Sequence, residues 1–178
     1  MIKRLLVPLD GSHLAEQALK FAADVAEATS GTIVATRVVA PPVPGRFYAA
    51  NLLDQLREAQ QKEAEAYLTS VAERLRGDRV AVETRVAYGP VAETLVALAE
   101  RERCDIIVMS SHGLGGIGWQ VFGSVAQKVL HSSRCPVLIV PTSEAEFVRE
   151  EEEEEGQADS ALLGELAQSR ERERPAAS

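Results

Sequence analysis

The amino-acid sequence predicts an α/β fold: an open five-stranded parallel sheet with helices on both faces. Two observations carry this. Short apolar runs of strand length alternate along the chain with longer stretches of helical period. Strands separated by helices pair in parallel, with both sheet faces covered. A third observation bounds the fold: the alternation stops near residue 140 of 178, which leaves room for one well-packed domain and little more.

Each element follows from its own pattern. Ile2 to Leu9 is the first strand-like run. Leu14, Ala18, Phe21, Ala22, Val25 and Ala26 then recur at helical spacing, with Gly31 as the expected stop. Thr32 to Val39 is rich in Val, Ile and Thr, which suits a second strand. Ala40 to Arg46 (APPVPGR) reads as a loop, because three prolines and a glycine neither pair nor coil. Leu52, Leu56, Ala59, Ala66, Val71 and Leu75 mark a long second helix. Val80 to Ala87 alternates, with Glu83 and Arg85 opposite Val80, Val82, Thr84 and Val86, as an edge strand can. Pro90 opens a third helix, which has Val91, Leu95, Val96, Leu98 and Ala99 on its apolar face. Asp105 to Ser110 is a fourth strand, Val125, Val129 and Leu130 belong to a last helix, and Pro136 to Val140 is the fifth strand.

The first and fourth strands are apolar on both faces and are expected at the centre. The fifth is equally apolar but comes last, so it is expected at an edge, where unpaired backbone groups invite another strand. A second copy of the chain covering that edge, hence a homodimer, is the expected remedy. The alternative is the C-terminal tail folding back over it.

Composition removes several classes. With 46% hydrophobic and 26% charged residues, the chain is neither collagen-like nor disordered throughout. No apolar run approaches the ~18 residues of a membrane helix. The N-terminal apolar stretch stops at Leu9, too short for a signal-peptide core, so a cytoplasmic location is expected, with Cys104 and Cys135 as reduced, buried thiols. The formal net charge of −8 resides in the last fifth of the chain: residues 143–178 hold 12 acidic and 4 basic residues, including six glutamates in succession from Glu150 to Glu155. Residues 1–142 are expected to form the folded domain and 143–178 a solvated, disordered tail. The domain itself is charge-balanced without a basic stripe, which argues against nucleic acid as a partner.

Open parallel sheets bind ligands beyond the carboxyl ends of their strands, where successive connections leave in opposite directions. Two loops have the right character. One follows the first strand: Pro8-Leu9-Asp10-Gly11-Ser12. The other runs from Ser110 to Ser124 (SSHGLGGIGWQVFGS), with glycines at 113, 115, 116, 118 and 123, and leads straight into a helix. Glycines admit backbone N–H groups close to an anion, and a helix start adds partial positive charge. No lysine precedes Ser124, so this is not a P-loop, and no G-x-G-x-x-G follows the first strand. On pattern alone, phosphate cradle and plain connection both remain open. The histidines at 13, 112 and 131 show no metal-ligand spacing, and no nucleophile–base pair stands out, so neither metal site nor catalytic residue is assigned.

The segments LLVPLDGSHLAEQALKFA and SSHGLGGIGWQVFGSVAQKVLHSSRCPVLIVP resemble the two ends of the universal stress protein domain. Its ATP-binding branch carries G-x2-G-x9-G-[ST]; here Gly113 and Gly123-Ser124 match, while Ser110 occupies the first glycine position. The resemblance implies a Rossmann-like sheet of strand order 3-2-1-4-5 and a dimer through the last strand. It implies a stress-response regulator binding ATP or another adenine nucleotide, with Mg2+ as a candidate companion and at most slow hydrolysis. Pro8 would belong to the binding residues, Asp10 would face the ribose or a hydrated metal, and Val38 would present backbone groups to the adenine. Ser110, Gly113, Gly123, Ser124 and Val125 would hold the phosphates. The alternative is a nucleotide-free interaction module of the same fold, the reading that Ser110 favours.

Overall fold

The computed structural model describes residues 1–41, 50–76, 80–111 and 122–141, with the backbone alone described at 50–53 and 76. The elements are β1 (Arg4–Pro8), α1 (His13–Thr29), β2 (Thr32–Val39), α2 (Ala50–Arg76), β3 (Ala81–Tyr88), α3 (Val91–Arg101), β4 (Ile106–Ser110), α4 (Ser124–Ser132) and β5 (Val137–Val140). All strand pairs are parallel and the order is β3-β2-β1-β4-β5. The expected strand order is therefore observed, with β1 and β4 inside the sheet and β3 and β5 at its edges.

Alternation along the strands divides the core in two. Leu5, Val7, Ile33, Ala35 and Val108 face α1 and α2, packing on Ala15, Ala18, Leu19, Ala22, Leu68 and Val71. Leu6, Val34, Ile107 and Met109 face α3 and α4, against Ala92, Leu95, Leu98, Ala126 and Val129. The link from β1 to β2 thus passes over one face and the link from β3 to β4 over the other. Between β1 and β4 the connections diverge, which makes the gap at their carboxyl ends the switch point of the sheet.

Local chemistry sets the ends of α1. Ser12 caps it, its hydroxyl accepting from the Ala15 N–H at 3.2 Å. At the other end the left-handed residue is Ser30 (φ 50°), not Gly31, and the Lys3 ammonium donates to the Thr29 carbonyl at 2.6 Å. Gly31 is needed for a different reason: a Cβ there would lie 3.1 Å from Leu5 and 3.3 Å from the Lys3 carbonyl, so its bareness lets the chain close onto β1.

Cys104 and Cys135 are free and half-buried, less enclosed than expected, with the Cys135 thiol donating to the Cys104 carbonyl at 3.3 Å. Burial pushes the Cys104 thiol up to about 11 and raises Cys135 as well. No described helix is long and apolar enough to cross a membrane. The acidic segment, the glycines from 113 to 118 and most of the proline loop lie outside the described residues.

Candidate functional site

The carboxyl end of β1 is tied to its neighbour by the Leu9 N–H, which donates to the Thr36 carbonyl at 2.8 Å. Pro8, the last residue of β1, pairs in register with Thr36. The chain then turns through Gly11, whose φ of 87° suits a residue without Cβ. Asp10 shapes this turn: one carboxylate oxygen accepts from the Ser12 N–H at 2.9 Å and from the Ser12 hydroxyl at 2.5 Å. The Asp-Gly-Ser run is thus both a turn and a helix start, presented beside the switch point.

On the β4 side, Ser110 and Ser111 are buried. The Ser111 N–H donates to the Val140 carbonyl at 2.9 Å, and its own carbonyl accepts from the Gly123 N–H at 2.8 Å. That second bond closes the base of the glycine-rich loop. It brings the start of α4 directly against the end of β4, so Ser110 and Gly123-Ser124, 13 residues apart in sequence, share one corner. Gly123 caps α4 without a side-chain bond, leaving the approach to the helix start free of a capping side chain. Backbone N–H groups in a first helical turn lack partners within the helix and carry partial positive charge. Ser124 is exposed there, and Val125 and Val38 pack against the α3–α4 side of the core.

Of the residues expected from the sequence, Pro8, Asp10, Val38, Ser110, Gly123, Ser124 and Val125 stand at the carboxyl ends of β1, β2 and β4 or at the start of α4; Gly113 lies outside the described residues. Among the described residues, no group of three or more His, Cys, Asp and Glu is arranged to hold a metal ion.

The structure adds residues that the sequence reading missed. The Arg37 guanidinium lies beside Gly11, 3.4 Å from where a Cβ would stand, and 5.2 Å over the ring of Tyr67. The available signal was an arginine inside the apolar run of β2. A cleft of about 560 Å³ also opens between the first turns of α2 (Asp54, Arg57, Gln61) and the ends of β2 and β3 (Val39, Tyr88, Gly89). None of the described candidate residues lines it. It neighbours the Val38 position without enclosing the corner at Ser110 and Gly123.

The universal stress protein family model matches residues 1–141. The chain belongs to the universal stress protein family. Universal stress protein MJ0531 of Methanocaldococcus jannaschii is 30% identical over 141 residues, covering 79% of this chain and 82% of its own. Among solved structures, that of the hypothetical protein MJ0577 superposes with a TM-score of 0.73 at 27% identity, over 80% of this chain and 98% of its own. A universal stress protein solved in complex with cAMP superposes with a TM-score of 0.62 at 26% identity, over 80% of this chain and 99% of its own.

Proposed function

We propose that this chain is a regulatory protein that binds ATP or a close adenine nucleotide at the carboxyl ends of β1, β2 and β4. The observation that carries this reading is the corner formed where the Gly123 N–H meets the Ser111 carbonyl beside the Asp10–Ser12 turn. The residues present fit such a ligand by donor type. Backbone N–H groups at the start of α4 and the Ser124 hydroxyl suit phosphate oxygens. The Asp10 carboxylate suits a ribose hydroxyl or a hydrated Mg2+, and the backbone at Val38 suits the edge of an adenine. The family member in complex with cAMP supports the adenine class. The described corner offers no residue in the role of activated nucleophile, so the reading is binding, with at most slow hydrolysis. Isothermal titration of the full chain with ATP, ADP, AMP and cAMP, with and without Mg2+, tests it; silence with all of them refutes it.

A second reading is favoured by one observation: Ser110, at the first glycine position of the family's ATP pattern, is buried and has a side chain where the pattern has none. In that reading the corner stays empty and the fold serves as an interaction module. Mild purification followed by mass analysis separates the two, since a nucleotide that copurifies excludes the empty corner.

The partner proposed is a second copy of the chain along β5. The Pro136 and Val140 carbonyls accept from β4. By alternation, Val137 and Ile139 turn their backbone groups to the open edge. Light scattering should report a dimer for the full chain and a monomer for Ile139→Pro, which removes an outward N–H. A wild-type monomer would contradict the proposal.

A further inference from the structure

Arg37 follows Ile33 and Ala35 on the strand face turned to α1 and α2, where an aliphatic side chain would simply extend the core. Its guanidinium instead stands beside Gly11, with Nη1 3.4 Å and both Cζ and Nη2 3.7 Å from the place a Cβ would take. The other side of the cation is held by α2: Tyr67 lies 5.2 Å below it, and Nη2 donates to Glu63 at 2.9 Å. Tyr67 in turn donates to Glu16 at 2.9 Å, and Arg74 donates to the other oxygen of Glu16 at 2.8 Å. Glu16 belongs to the first turn of α1, the helix that Ser12 caps. The turn from Asp10 to Ser12 is therefore flanked at Gly11 by Arg37 and, one helical turn later, tied by Tyr67 through Glu16. Burial and the neighbouring carboxylates, Glu16 foremost and Asp10 last, raise the Tyr67 hydroxyl well above its ordinary range, so it remains a donor.

We propose that Arg37 is a positioning residue: braced by Tyr67 and Glu63 of α2, it holds the Asp10–Ser12 turn in the shape that receives the sugar of the nucleotide. The inference rests on the nucleotide reading above. Folding stability is a poor explanation for an arginine at this position, because its ion-pair partner Glu63 is mostly exposed and such pairs contribute little. The open side of Gly11 is what the guanidinium faces.

The test uses the full chain with Arg37→Ala and Arg37→Lys, well below their melting temperatures. Calorimetry with adenosine, AMP and ATP should show Arg37→Ala weaker by the same factor for all three, about fivefold to tenfold, as expected when a preorganised loop must be reordered on binding. Arg37→Lys, which keeps the charge but loses the planar group beside Gly11 and Tyr67, should fall between. A loss that grows with the number of phosphates would overturn the proposal in favour of a direct phosphate contact, and unchanged affinities would overturn it outright. Amide hydrogen exchange without ligand is the independent readout. In Arg37→Ala the Ser12 and Ala15 N–H groups should exchange about tenfold faster while those of β4 stay unchanged. If the wild type binds none of the three ligands, the nucleotide reading fails by itself, and unchanged exchange at Ser12 shows separately that Arg37 braces nothing.

Discussion

The two ends of the sheet are built from different materials. At the amino end, charged side chains bind the elements to one another. Arg4 donates to both oxygens of Glu83 at 3.0 and 3.1 Å and reaches Glu102 at 3.3 Å; Arg85 donates to Glu83 at 2.7 Å and to Glu102 at 3.2 Å. Asp105 accepts the backbone N–H groups of Lys3 and Arg4 at 2.6 and 2.9 Å. Every one of these groups has a partner from another part of the chain. At the carboxyl end the turn and the corner themselves are made by backbone and hydroxyl bonds, Ser12 to Asp10, Gly123 to Ser111 and Leu9 to Thr36, while the charged pairs Arg37–Glu63 and Arg74–Glu16 stand behind the turn on β2, α1 and α2. Paired charges join the strands at one end, and small residues with backbone groups line the other. The proposed function places its ligand at the second end, because a phosphate is met by N–H groups and not by carboxylates already paired with arginines.

Substitution in the core that both ends share should erase the distinction, and it has the largest expected effect. Leu6 is fully buried between β1 and the α3–α4 layer, so Leu6→Ala should cost about 2–5 kcal/mol in urea denaturation. Gly11→Ala comes next and acts on the carboxyl end alone. An alanine at φ 87° costs about 1–2 kcal/mol and strains the turn that the proposed ligand meets, so nucleotide affinity should fall more than the cost in stability implies. The smallest effect belongs to Glu102→Gln, about 0.2–1 kcal/mol at pH 7, with nucleotide affinity unchanged.

That last variant also sharpens the comparison through pH. Hydrogen bonds from Arg4 hold the Glu83 carboxyl below its ordinary range, those from Arg85 do the same for Glu102, and backbone N–H groups do so for Asp105. Carboxyls lowered in the folded state contribute stability in full above the unfolded value of about 4, and lose it as pH falls through the lowered folded values. Wild-type stability should therefore decline below about pH 4, and Glu102→Gln should flatten that decline. Melting curves between neutral and strongly acidic pH check this, and an equally steep decline in the variant would refute it.

The carboxyl-end turn was legible because its information is local. Asp10, Gly11 and Ser12 announce a turn and a cap within three residues, and the runs apolar on both faces mark β1 and β4 as central, while the full strand order is what the family resemblance implies. The amino-end network was not legible: Arg4 is 79 residues from Glu83 and 98 from Glu102. In sequence, Glu83 and Arg85 are only the polar side of an alternating strand. Arg37 was hidden for the same reason, since its meaning depends on Gly11 and Tyr67, which no spacing brings together. Gly31 marks the stop of α1, its N–H closing onto the Ala26 carbonyl at 2.8 Å, but its need to clear Leu5 and the Lys3 carbonyl is visible only in the fold.

Titration of the full chain with ATP and Mg2+ at two salt concentrations tests the central claim most directly. Residues 1–142 are formally neutral, so the proposed binding draws on short-range dipoles around Gly123 and Ser124 and not on a net positive charge. The expected result is saturable binding at one site per chain, with an affinity that changes little between the two salts. Absence of binding, or binding that collapses as salt rises, would contradict it.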